Sequence, residues 1–260
     1  MEFTDQTGHQ LELNSIPERI ISLVPSQTEL LYDLGLDDRV VGITKFCIHP
    51  QTWFETKARV GGTKALKLDK IRELQPDLIL ANREENTRHE IEYLRQHYPV
   101  YTSDICSLSD SLEMIRAVGQ LTDTGQRAHE LVQTINQAFD GLRLYQGGRK
   151  RVVYLIWQDP VMAVGKQTFI DDMLGRCGFI NVVEQERYPE LGVADLQRLS
   201  PDILLLASEP FPFREKHVVV WQGELPDTQP VLVDGEYFSW YGSRLQKAPG
   251  YFVDLINKIS

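Results

Sequence analysis

The chain has 260 residues, of which 42 % are hydrophobic and 25 % charged, a balance that supplies a sizeable core and excludes disordered, collagenous and disulfide-stapled classes. At roughly 100–200 residues per domain, this length accommodates about two domains. Lys and Arg number 27 against 37 Asp and Glu, a net charge of −10, which argues against nucleic-acid partners because they require a basic face.

The first residues, Met1-Glu2-Phe3-Thr4-Asp5, show neither a basic n-region nor an apolar h-region, and no apolar run reaches the ~20 residues that span a bilayer. Nothing in these residues directs the chain to export, so a cytoplasmic location stays open. Arg19 introduces the apolar run Ile20-Ile21-Ser22-Leu23-Val24, expected to be a strand buried on both faces. A helix over 26–34 follows, with Leu30, Leu31 and Leu34 on one side and Gly35 as its stop, and then a strand over 40–43. The next loop, Lys45-Phe46-Cys47-Ile48-His49-Pro50, is placed at a strand end; Gly61-Gly62-Thr63 either turns tightly or lets a ligand approach the backbone.

Residues 69–81 read as a short amphipathic helix, a Pro and a buried strand, and the same pattern returns at 195–207 with the shared signature Pro-Asp followed by an apolar run. Between the copies, Ala128, Leu131, Val132, Ile135, Ala138, Phe139, Leu142 and Tyr145 form one apolar stripe. The helix they define begins near Thr122-Asp123-Thr124 and ends at Gly147-Gly148. Arg151 introduces a second buried strand over 151–156, and a helix over 168–176, stopped by Gly178, matches the one over 26–34. Strands alternating with helices in two corresponding halves predict an α/β protein with two similar parallel-sheet lobes joined by one long backbone helix, the ligand crevice lying between the lobes. The expected boundaries are 1–122 for the N-terminal lobe, 123–147 for the connecting helix and 148–260 for the C-terminal lobe. A single stiff connector would resist wide hinge bending.

Catalytic signatures are missing. There is no GxSxG, GxGxxG or Walker A loop, and His89-Glu90-Ile91-Glu92-Tyr93 has Tyr93 where a zinc-protease helix needs its second His. Cys47, Cys106 and Cys177 are odd in number and lack CxxC spacing, so reduced, buried thiols are expected. Cys47 and His49 alone do not make a metal site, since zinc takes three or four ligands. The strongest ligand-contact candidate is Tyr237-Phe238-Ser239-Trp240-Tyr241-Gly242-Ser243-Arg244, an aromatic cluster in which Arg244 can pair a carboxylate or phosphate.

The segment 19–31, with Gly35-Leu36, Val40-Val41-Gly42-Ile43 and Leu74-Gln75-Pro76-Asp77-Leu78-Ile79-Leu80-Ala81, resembles class III substrate-binding proteins of ABC importers, as does the long mid-chain helix. The resemblance implies a non-enzymatic, monomeric receptor at the periplasmic or cell-surface side that carries cobalamin, a ferric siderophore or a haem-like chelate to an ABC permease. It implies no cofactor, catalytic residue or bound metal ion of the protein's own. The implied ligand-binding set is Ser26, Gln27, Lys45, Phe46, His49, Gly62, Thr63, Asn82, Trp157, Tyr237, Trp240, Tyr241 and Arg244. Asn82 stands where cobalamin receptors carry a Trp. Permease docking through one acidic residue per lobe points to Glu85 or Glu90 and to Glu209. The competing reading is an intracellular enzyme or carrier that handles corrinoids or tetrapyrroles in the same crevice; a nucleotide-sugar transferase is disfavoured by the lack of a Gly-rich phosphate loop.

Overall fold

The computed structural model describes residues 1–142 and 149–259. Tyr145, Gly147 and Gly148, assigned above to the end of the long helix, lie outside the described residues. The chain forms two units: Met1–Ile105 with Ser109–Thr134 and Tyr241–Arg244, and Cys106–Leu108 with Ile135–Trp240 and Leu245–Ser260.

In the first unit a hairpin of β1 (Glu2–Thr4) and β2 (Gln10–Glu12) precedes β3 (Ile20–Ser22), α1 (Pro25–Asp33), β4 (Val40–Ile43), α2 (Gln51–Thr56) and β5 (Ala58–Arg59). A small hairpin of β6 (Gly61–Gly62) and β7 (Ala65–Leu66) follows, then α3 (Leu68–Leu74), β8 (Leu78–Asn82), α4 (Arg88–Arg95), β9 (Val100–Ser103), α5 (Leu108–Leu121) and the first half of α6 (Gly125–Leu142). The sheet runs in the order β5-β4-β3-β8-β9, and every pairing is parallel. Its central strands β3 and β8 are buried along their whole length, which is why they read as continuous apolar runs.

The second unit holds β10 (Arg151–Gln158), β11 (Val161–Ala163), α7 (Phe169–Arg176), β12 (Ile180–Asn181), α8 (Val193–Leu199), β13 (Ile203–Ala207), α9 (Glu215–Glu224), β14 (Gln229–Val233), α10 (Glu236–Ser239) and α11 (Ala248–Ile259). Its order is β11-β10-β13-β14, with β12 also pairing β10; β11 is antiparallel and the other pairings are parallel. Apolar residues of β10 and β13, with Leu196 of α8 and Trp221 of α9, make its core. The two similar parallel-sheet units expected from the sequence are therefore present.

The internal repeat has a physical cause. In the first copy Asp77 accepts the N–H groups of Glu18 and Arg19, both at 2.8 Å, while the Arg19 guanidinium returns to the carbonyl of Leu74 (2.7 and 2.8 Å) at the end of α3. In the second, Asp202 accepts the Arg151 N–H (2.8 Å), and Arg151 Nη2 donates to the carbonyl of Leu199 at the end of α8 (2.8 Å). Each helix ends in a left-handed residue, Gln75 at φ 44° or Ser200 at φ 43°, directly before the Pro. The basic residue before each strand thus satisfies orphan helix carbonyls and ties the helix end to the sheet. Gly35 and Gly178 repeat this symmetry, stopping α1 and α7 at φ 77° and 78°.

The long helix is α6, and its stripe is as expected: Ala128, Val132, Ile135, Phe139 and Leu142 are buried, with Leu131 and Ala138 half-buried. The division between units falls inside it, after Thr134. Two segments depart from the sequence-based boundaries. Cys106–Leu108 belongs with the second unit, and Tyr241–Arg244, expected in the C-terminal lobe, belongs with the first. The reason for the latter is specific bonding: Ser111 Oγ donates to the Tyr241 carbonyl (2.6 Å), and Gly242 lies so close to the Ser26 carbonyl that a Cβ there would sit 2.4 Å from its oxygen. Cys47 and Cys177 are buried and Cys106 is half-buried, all three free. Among the described residues no helix is long and apolar enough to cross a membrane.

Replacing Asp77 by Ala removes two backbone-to-carboxylate bonds and should lower unfolding free energy by about 1–3 kcal/mol. Asp202→Ala, which loses one such bond to Arg151, should cost less in the same denaturant titration.

Candidate functional site

Open α/β sheets bind ligands at the carboxyl ends of their strands, beside the point where strand order reverses. In the first unit that point lies between β3 and β8, and in the second between β10 and β13.

At the first switch point the expected ligand residues Ser26, Gln27 and Asn82 are buried. Gln27 Nε2 donates to Ser103 Oγ (2.7 Å) and to the Ala81 carbonyl (3.2 Å). Asn82 Nδ2 donates to Ser103 Oγ (3.0 Å), and its Oδ1 accepts the N–H groups of Glu84 (2.8 Å) and Glu85 (3.1 Å). The Asn82 amide shapes the loop after β8, as Asx turns do, whereas Gln27 Oε1 and Ser26 Oγ are covered and lack a partner among the described residues. Cys47 is likewise internal: its sulfur is 3.1 Å from the hydroxyls of both Thr28 and Thr44, and burial pushes its thiol pKa up, so it is no activated nucleophile.

The neighbouring loop is different. Phe46 is 50 % exposed and Ile48 44 %, while Cys47 between them points inward. Lys45 is exposed and holds its ammonium 4.9 Å from the Phe46 ring centroid. Gly62 lies beneath this pair, where a Cβ would stand 3.2 Å from the Phe46 ring and 3.3 Å from Lys45 Cε. Gly61, at φ 109°, is required by the β6–β7 hairpin, since a Cβ would meet the Ala65 carbonyl at 2.4 Å. Thr63 is half-buried and its carbonyl accepts from Asn86 Nδ2 (3.0 Å); His49 is half-buried on the same loop as Phe46. Ile48 was not singled out from the sequence. Its signal is the alternation Phe46, Cys47, Ile48, which sends two apolar side chains outward.

The aromatic segment is bonded to acidic side chains. Arg244, expected to meet an anionic ligand, forms a two-pronged pair with Glu29 (2.8 and 2.9 Å). The buried Tyr241 donates its hydroxyl to Glu85 Oε1 (2.8 Å). In the second unit Trp240 is only 5 % exposed and, with Ser239 Oγ, donates to Glu209 Oε1 (2.9 and 2.6 Å). Tyr237 is half-buried and stacks on Tyr251 with centroids 4.5 Å apart.

The acidic residues expected to dock a permease are drawn inward too. Glu85 receives Tyr241, Glu90 Oε1 accepts the Leu66 N–H (2.9 Å), and Glu209 lies largely buried against Gly235, where burial raises its carboxyl pKa. None of the three stands out as a projecting carboxylate.

At the second switch point Trp157, 38 % exposed, ends β10 and donates Nε1 to the Asp159 carbonyl (3.0 Å). Its ring meets Phe211 edge-on at 5.8 Å, and Phe211 in turn packs on Phe213 (4.8 Å) and His217 (5.3 Å). Of the ligand residues expected from the sequence, Lys45, Phe46 and Trp157 are therefore the exposed ones. Among the described residues no group of three or more His, Cys, Asp or Glu could hold a metal ion.

The model of the periplasmic binding protein family matches residues 20–218. A vitamin B12-binding protein of Vibrio parahaemolyticus is 25 % identical over 225 residues, covering 82 % of this chain and 78 % of that protein. An uncharacterized ABC transporter substrate-binding lipoprotein of Bacillus subtilis is 26 % identical over 213 residues, covering 77 % of this chain and 67 % of the relative. In fold, the periplasmic heme-binding protein RhuT from Roseiflexus superposes with a TM-score of 0.79 at 21 % identity, covering 93 % of this chain and 97 % of that one. The match spans the β3 strand, both repeat copies and the long helix, and on it the chain belongs to the periplasmic binding protein family, as a class III ABC transporter substrate-binding protein.

Proposed function

We propose that this protein captures a metal chelate of the cobalamin, ferric-siderophore or haem type and delivers it to an ABC permease, acting as a receptor and not as an enzyme. The observation that carries the reading is the family match over residues 20–218. Relatives named for vitamin B12 and structural neighbours named for heme support a large, flat, metal-centred ligand. The exposed side chains suit such a ligand: Phe46, Ile48 and Trp157 offer apolar and ring surface, and Lys45 offers a cation for a peripheral carboxylate or phosphate. In this reading residues on the strand-end rim of each unit touch the ligand, while Ser26, Gln27, Asn82, Tyr241 and Arg244 hold the rim's shape. Delivery to a permease would place the protein outside the cytoplasmic membrane.

Incubation with aquocobalamin, haemin and a ferric catecholate siderophore, followed by native mass spectrometry and absorbance spectroscopy, should show a 1:1 complex with one of the three. Failure of all three overturns the chelate assignment. Phe46→Ala and Trp157→Ala should each weaken that complex by about 1–3 kcal/mol, the scale of an interface aromatic, with little change in melting temperature. Trp240→Ala should do the reverse, lowering stability by about 3–5 kcal/mol as a buried ring is lost.

A further inference from the structure

The first unit contains a polar recess of about 620 Å³, away from the exposed side chains assigned to the chelate. Gln6 and Thr7 from the β1–β2 hairpin, the loop after β8, the side of α4 and the end of β9 enclose it, and Ile91 is its one apolar lining residue. Such a lining suits a hydrophilic ligand and not a flat apolar chelate.

Its chemistry is concentrated in three guanidinium groups. Arg95 forms the floor, with Nη2 donating to Asp5 Oδ2 (2.7 Å) and to the hydroxyls of Thr7 and Thr102 (both 2.9 Å). These contacts hold the group without freedom to turn. Arg83 and Arg88 stand at the lip, with side chains 60 % and 90 % exposed; they pair with Asp104 (2.5 Å) and Glu92 (2.6 Å). Exposed pairs of this kind are worth little, so a polyvalent oxyanion can take over either guanidinium at small cost. Gln6, Thr7, Asn86 and Thr102 add uncharged polar groups to the lining, which suit hydroxyls.

We propose that this recess binds a small polyhydroxylated anion of the sugar-phosphate or sugar-acid class. Its anionic group engages Arg83 and Arg88, and its hydroxyls meet the polar lining of Gln6, Thr7 and Thr102. The volume exceeds what a bare inorganic anion fills and falls in the range of small-ligand pockets. Asn82 lines the recess, but none of Phe46, Ile48 and Trp157, the side chains assigned to the chelate, does.

Isothermal titration calorimetry with glucose 6-phosphate, gluconate, glucose and inorganic phosphate tests it. Saturable binding is expected with glucose 6-phosphate or gluconate, and which of them binds more tightly assigns the phosphate or carboxylate source. Glucose and inorganic phosphate should bind at least tenfold more weakly. In the Arg83→Gln, Arg88→Gln double variant, whose changes lie at exposed positions, the affinity should fall at least tenfold with the thermal midpoint unchanged. Amide NMR shifts at Thr7, Ile91 and Asp104 should move in the native protein. No saturable binding, equal affinity for inorganic phosphate, or undiminished binding by the double variant would overturn the proposal.

Discussion

A strand buried on both faces of a parallel sheet can be entered only by a crossover, and each crossover helix must be fastened where it meets the next strand. In this protein the fastening is the Arg–Asp clasp: Arg19 with Asp77 in one unit and Arg151 with Asp202 in the other. It closes the last turn of α3 or α8, aligns β8 or β13 with its neighbour, and leaves the opposite strand ends free to carry loops. The candidate residues Lys45, Phe46 and Trp157 lie at those opposite ends.

The loops after β8 and β13 are then stiffened by amide and carboxylate groups turned inward. Asn82 organises the first through two backbone N–H groups, and Glu209 organises the second through Ser239 and Trp240. In the second unit Glu209 holds Trp240, and in the first Glu85 and Glu29 hold Tyr241 and Arg244. Carboxylates drawn partly out of water are costly unless bonded, and each of these three half-buried groups receives at least one donor. Residue types that look like ligand chemistry in isolation are here the means by which a rim is made rigid. A rigid rim in turn lowers the entropy that ordering loops around a ligand would otherwise cost.

Much of the fold was legible. Periodic apolar runs, Gly35 and Gly178 as stops and the recurring Pro-Asp signature located the strands, the paired halves and the long helix. These features are written in local spacing, so neighbouring residues suffice to read them. The site was legible only in part. Of the candidate residues Lys45, Phe46 and Trp157 are exposed, and for the first two the position of the loop directly after a strand was the usable signal.

What the sequence determined by itself was the class of architecture, its internal duplication and its family, all of which depend on period, punctuation and motif. Tertiary structure alone decided which polar side chains remain available. Arg244 meets Glu29 across 215 residues, and Tyr241 meets Glu85 across 156. No local pattern encodes such partners, and a guanidinium or phenol hydroxyl bonds to whichever acceptor the fold brings within about 3 Å.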